Sequence, residues 1–279
     1  MLYNFETTIN GEKKAISVET PIQLKEDFIN KKFRSFFLSN KNLSESDIFP
    51  VCLLGNRIGL HIPFNALFSI SHSCAEKPHF RNYAYIALKS ITQISDPKII
   101  NYIESEEPME NWFDGNTSLL LISEENLKGN DFDISRAVPS LLAKGYVCHS
   151  SVSEISVPSF SVTKDPGSNK KLDLLLVSED ISDTSFIEKV LMKLVPYEEN
   201  PLFQFFYLYQ IVEMLMEYVF DNESEQFFND LNSAKGNLTA TRDHLNNFNS
   251  FLREKSRMNA LVANYCSLDG KDDELKRLC

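Results

Sequence analysis

Glycine is scarce in this sequence: 9 in 279 residues, about 3%, where an average protein has about 7%. The nine are Gly11, Gly55, Gly59, Gly115, Gly129, Gly145, Gly167, Gly236 and Gly270. No two of them form G-x-G, and none precedes Lys-Ser or Lys-Thr. The P-loop and the dinucleotide fingerprint, which cradle phosphate on glycine-rich backbone, are therefore excluded. Positive charge is also in deficit. Against 39 Asp and Glu stand 28 Lys and Arg, a formal net charge of −11. Nucleic acid and anionic membranes repel such a chain at long range. The deficit is spread along the chain: residues 198–279 hold 14 acidic and 8 basic residues (net −6), leaving 25 and 20 (net −5) for residues 1–197. Strong direct nucleic-acid binding is not expected, and the local basic runs Lys31–Arg34 and Arg253–Arg257 read as solvated helix faces.

The five cysteines, Cys52, Cys74, Cys148, Cys266 and Cys279, form no C-x-x-C pair. An odd count suits free thiols in a reducing compartment better than a disulfide framework. Met1–Ser17 lacks a basic segment followed by an apolar one, so it does not read as a secretory signal. The expected location is the cytoplasm. One segment approaches membrane-like apolarity: Leu202–Phe220 has 15 apolar residues in 19, the exceptions being Gln204, Gln210, Glu213 and Glu217. Two carboxylates near a bilayer centre would cost roughly 2.5–3.5 kcal/mol each. We therefore expect no membrane span, but a helix buried on most sides of a bundle.

Between these absences the chain has clear local order. Leu2–Ile9 and Lys13–Val18 flank Asn10-Gly11, a tight-turn dipeptide, and predict a hairpin. Pro21–Ser39 spaces its apolar residues in a helical manner. Pro50–Leu54 and Ile58–Ile62 predict a second strand pair around Gly55-Asn56. Asn65–Ile70 fits a strand or a short helix. Phe80–Ile94 is a strand candidate by its aromatic and β-branched content, with Ala84–Ser90 also compatible with a helix. Asp96-Pro97 marks a helix start. Ser118–Ser123 reads as a buried strand, Asp133–Lys144 as a helix ended by Gly145, and Tyr146–His149 as a strand. Ile155–Thr163 suits an edge strand, Leu172–Ser178 is the clearest strand, and Asp183–Val195 is a capped helix. Beyond Pro196 no strand is expected, Ser224–Leu231 reads as a short helix, and Leu238–Tyr265 reads as one long helix. The fold class is therefore α+β: a mixed strand–helix domain over 1–195, then an all-helical domain over 197–279.

Catalytic patterns are sparse. No G-x-S-x-G elbow occurs. His72, Cys74 and His79 place three potential metal ligands in eight residues, but a zinc site ordinarily needs two ligand pairs. Cys74 and Cys148 each have a histidine nearby in sequence, the formal minimum of a Cys/His nucleophile. Asp165, Asp173 and Glu179, with Lys170 and Lys171, are candidate carboxylates and lysines for a magnesium-dependent nuclease. Each has a structural alternative: hydrogen-bonded loop histidines, or solvated charges on a strand.

Asn200-Pro201-Leu202 leads into Phe206-Tyr207-x-Tyr209-Gln210-x-x-Glu213. This stretch resembles the opening helix of HEPN-like helical domains of bacterial defence and stress proteins, over about 80 residues. The resemblance implies a small helical bundle. The family's ribonuclease mark, an arginine followed after four to six residues by a histidine, is missing, since Arg242-Asp243-His244 has one intervening residue. A non-catalytic version is implied.

The leading expectation is a non-enzymatic accessory or adaptor subunit of a bacterial multiprotein system, with anti-phage defence as its setting. It would bind a protein partner or itself through Leu238, Leu245, Phe248, Leu252, Arg253 and Arg257 on the C-terminal helices. No cofactor is expected. The alternatives are a nuclease using Mg²⁺ and a small-ligand sensor in the first domain.

Overall fold

The computed structural model describes residues 1–129, 132–160, 171–182 and 184–265. The first hairpin forms as its sequence dictates. Strands β1 (Leu2–Ile9) and β2 (Glu12–Glu19) pair antiparallel. Asn10 and Gly11 take φ of 51° and 84°, the left-handed pair that a two-residue turn requires. Three further strands follow: β3 (Phe33–Ser39), β4 (Phe49–Leu53) and β5 (Asn56–Pro63). The β4–β5 turn uses Leu54 and Gly55, one residue earlier than the Gly55-Asn56 expectation. Phe64–Leu67 is a single 3₁₀ turn. Next come α1 (Pro78–Thr92), α2 (Pro97–Glu104), β6 (Thr117–Ser123), the one-turn α3 (Glu124–Leu127), α4 (Ile134–Leu142) and β7 (Val147–His149). They are followed by β8 (Leu172–Leu174), α5 (Glu179–Ser182) and α6 (Ser185–Lys189).

Strands β3 to β8 form one six-stranded sheet in the order β7-β3-β6-β5-β4-β8. Every pairing is antiparallel except β4 with the edge strand β8. Every residue of β6 is buried, which explains its run Leu119–Ile122: a central strand covered on both faces has no wet side to alternate toward. Phe37, Leu60, Ile62, Leu119 and Leu121 project to one face, against Phe80, Ala84, Ala87, Leu88 and Ile91 of α1. Phe5 and Val18 of the hairpin join that core. On α4, Ala137, Val138 and Leu141 are buried, and α4 meets the edge strands β7 and β8.

Four expectations for elements of the strand–helix domain are corrected. Pro21–Ser39 is not helical: Ile22 and Leu24 are buried in an irregular segment, and Phe33, Phe36 and Phe37 lie on β3. The helix-like spacing came from reading two elements as one; Phe28 returns to stack on Phe33, ring centroids 5.8 Å apart. Phe80–Ile94 is not a strand. Its buried residues Phe80, Tyr83, Ala84, Ala87, Leu88 and Ile91 recur at i, i+3, i+4, i+7, i+8 and i+11, a helical period with Pro78 in the first turn. Of Leu172–Ser178, only Leu172–Leu174 is strand. The chain then leaves the sheet for α4, where Leu175 N–H donates to Ser140 Oγ (3.1 Å) and Val177 N–H to Arg136 O (3.0 Å). Within Ile155–Thr163 the described part, 155–160, holds no strand.

Two compact units result, 1–204 and 205–279. Past α6 the chain continues through a π turn (Val190–Leu194) and a 3₁₀ turn (Val195–Tyr197) into α7 (Pro201–Ser233), within which the division falls. The described part of the second unit is entirely helical, with α7 followed by α8 (Leu238–Phe251) and α9 (Glu254–Ala260). The expected long helix over Leu238–Tyr265 is broken at Arg253, whose ψ of 135° is extended. Ser224–Leu231 is not a separate helix but the last turns of α7. Met216, Val219 and Leu261 form the small buried cluster of this unit. No described helix is long and apolar enough to cross a membrane.

Candidate protein-binding surface

The candidate catalytic groups do not converge. Asp173 sits on the edge strand β8, half exposed, with Lys171 Nζ 3.0 Å away. Glu179, on α5, is exposed and pairs with Arg136 at 3.1 Å. Asp165 lies outside the described residues. Among the described residues, no three His, Cys, Asp or Glu side chains are placed to hold a metal ion.

His72, Cys74 and His79 separate for the same reason: each serves its own local packing. His72 is buried, donates from Nε2 to Ala66 O (2.9 Å) and meets Phe80 edge-on. Cys74 has Lys77 Nζ 3.7 Å from its sulfur. His79 packs on Tyr83 and Phe28. Burial, and then the charge of Arg57, hold His79 below the usual imidazole pKa.

The Cys148-His149 pair is split by strand geometry. Neighbouring residues on a strand point to opposite faces, so the thiol opposes Leu38 while the imidazole opposes Phe37. Burial pushes the Cys148 thiol up to about 12, which keeps it protonated and unreactive.

The sequence reading missed two buried hydroxyl–imidazole contacts. Ser39 Oγ lies 2.8 Å from His149 Nε2, and Ser118 Oγ 2.8 Å from His61 Nε2. His61 Nδ1 faces the Asp47 carbonyl at 2.8 Å, so Nδ1 donates there and Nε2 accepts from Ser118. His61 has no solvent exposure, which bars a substrate from this pair. Neither contact is marked in the sequence, because each joins residues more than fifty positions apart.

What the second unit does present is apolar surface. Leu202–Phe220 was expected to be buried on most sides, yet within it only Met216 and Val219 are buried. Phe205, Phe206 and Leu208 are 64%, 52% and 42% exposed. At 100° per residue, these three with Tyr209 span about 160° of the helix. Tyr209 stacks on Phe205 at 6.1 Å. No charged residue lies between Glu199 and Glu213. Glu213 and Glu217 are exposed and follow the apolar arc toward the C-terminus of α7; the Glu213 carboxylate raises the Tyr209 pKa, with smaller contributions from partial burial and Glu254.

The six residues proposed from the sequence divide. Phe248 is half-buried inside the unit, stacked on Phe227 with centroids 4.1 Å apart. Arg257 lies over the Phe220 ring at 5.8 Å. Leu238, Leu245, Leu252 and Arg253 are exposed. The stripe was read as a single face, but the break at Arg253 and the packing of Phe248 on α7 divide it.

Compared with known proteins, the chain matches no family model, no curated protein and no solved structure. The HEPN-like likeness rests on the residues quoted for it.

Proposed function

We propose that this chain is a non-catalytic accessory or adaptor subunit that docks a protein partner on the apolar turns of α7. One observation carries the reading. Phe205, Phe206 and Leu208 are exposed together on a helix stretch that carries no charge. Covering each of them would gain about 1–2 kcal/mol. A contiguous apolar patch rimmed by polar groups is the usual mark of a binding surface. Glu213 and Glu217 at its margin favour a partner with an apolar helix flanked by basic residues. The HEPN-like stretch supports a bacterial defence setting, and the odd number of cysteines supports a reducing compartment such as the cytoplasm.

The test is co-expression with the products of adjacent genes, for the wild type and for Phe205→Glu/Phe206→Glu. A stoichiometric complex, or self-association in sedimentation, that is lost in the variant supports docking on α7. A monomer without a partner, or a complex indifferent to the substitutions, counts against it. Magnesium-dependent cleavage of nucleic acid abolished by Asp173→Ala would favour the nuclease alternative instead.

A further inference from the structure

The first unit offers a separate surface, which does not depend on the α7 reading. Among the described residues, the hairpin β1–β2 is a sheet of two strands only. Its hydrogen-bond phase follows from its open end, where Met1 N donates to Thr20 O (2.7 Å) and Thr20 N–H donates to Met1 O (3.0 Å). Met1–Thr20 is thus a bonded pair. Because bonded and non-bonded pairs alternate along an antiparallel ladder, Leu2–Glu19, Asn4–Ser17 and Glu6–Ala15 are non-bonded. The backbone N–H and C=O groups of Ala15, Ser17 and Glu19 therefore point away from β1. They bond to no described residue.

This free edge borders a groove. Two concavities of about 620 and 670 Å³ lie between β2 and the connection from α2 to β6, and they share Ser17, Glu106, Glu107 and Met109. The far wall is acidic: Glu104, Glu106, Glu107 and Glu110 line it, and Glu19 stands on the strand side. None of these five carboxylates makes an ion pair with a described residue. Two cationic groups line the groove among the described residues, Lys14 and the Met1 ammonium, and the latter is taken up by Thr20 O. From Ala15 to Glu19 the edge spans about 13 Å, room for four or five extended residues.

We infer that β2 accepts an extended basic peptide as a third strand, antiparallel or parallel, with its lysines or arginines facing the acidic wall. Main-chain hydrogen bonds to Ala15, Ser17 and Glu19 supply the alignment, as strand addition does generally. The carboxylates supply the choice of charge. An unpaired edge beside an acidic wall also rejects acidic strands, which disfavours a second copy of a chain whose net charge is −11.

The probe is a labelled peptide, Lys-Val-Lys-Val-Lys-Val-Lys, titrated by anisotropy into the full chain. Its comparisons are the Glu-for-Lys peptide and two forms N-methylated at alternate amides, one for each phase of the ladder. The Lys peptide should bind at least about tenfold tighter than the Glu peptide and than one of the N-methylated forms. Amide exchange should slow at Ala15, Ser17 and Glu19, while Ile16 and Val18, already bonded to β1, stay unchanged. Glu106→Gln/Glu107→Gln/Glu110→Gln should weaken binding about tenfold with an unchanged melting temperature. Equal binding by both N-methylated forms would show charge adhesion without a strand and overturn the proposal. So would equal binding of the Glu peptide, or protection at other amides. A dimer of the chain dispersed by the Lys peptide would assign the edge to a second copy and also overturn it.

Discussion

His149 is held neutral by its surroundings. Burial lowers its pKa to about 4; Lys193 and Lys98 act in the same direction, and Glu154 opposes them. Its pKa in the unfolded chain is near 6.5, so the unfolded state takes up the proton first. The stability this group contributes is complete above pH 6.5 and is lost as pH falls toward 4, by about 3 kcal/mol. Urea unfolding at the two pH values should show that loss, and His149→Asn should reduce it. Ser39→Ala removes the hydroxyl from His149 Nε2 and should cost about 1–3 kcal/mol at neutral pH in the same assay. Glu106 is a second residue under strain. It ends α2 in the left-handed region, φ 59°, with its own N–H on Ile103 O and the Glu107 N–H on Tyr102 O, both at 3.2 Å. Glycine is the usual occupant of that cap. Glu106→Gly should raise stability by about 1 kcal/mol in a thermal melt while removing one carboxylate from the groove.

At the level of elements, the β5–β6 ladder depends on one close approach. A Cβ on Gly59 would lie 1.9 Å from Leu121 O and 2.9 Å from its carbonyl carbon. Backbone cannot yield as a side-chain tip can, so Gly59→Ala should separate the two central strands. We expect a loss of more than about 4 kcal/mol, read as aggregation or a lost unfolding transition. The second unit relies on fewer contacts. Phe248→Ala removes the ring stacked on Phe227 and should cost about 2 kcal/mol. Leu238→Ala, at a position 88% exposed, should change stability by less than about 0.5 kcal/mol. Denaturant melts of the two variants give the comparison.

On the scale of the whole molecule, a substitution in the apolar arc of α7 should separate association from stability. Phe205→Glu/Phe206→Glu replaces two side chains that are more than half exposed, so its urea midpoint should match the wild type while any partner or self-association is lost. What the sequence alone determined was local. Asn10-Gly11 placed the first turn, Asp96-Pro97 started α2, and Asp133 and Gly145 bounded α4. In each case a side chain or a positive φ satisfies backbone within a few residues. The run Ser118–Ser123 was legible as buried strand because few polar groups interrupt it. The tertiary structure alone decided the rest. Phe33–Ser39 is a strand because β6 and β7 offer ladders on both its sides, and Phe80–Thr92 is a helix because the sheet presents an apolar face to cover. Leu202–Leu208 is equally apolar in either environment; whether another element covers it depends on residues distant in sequence, which no local periodicity encodes.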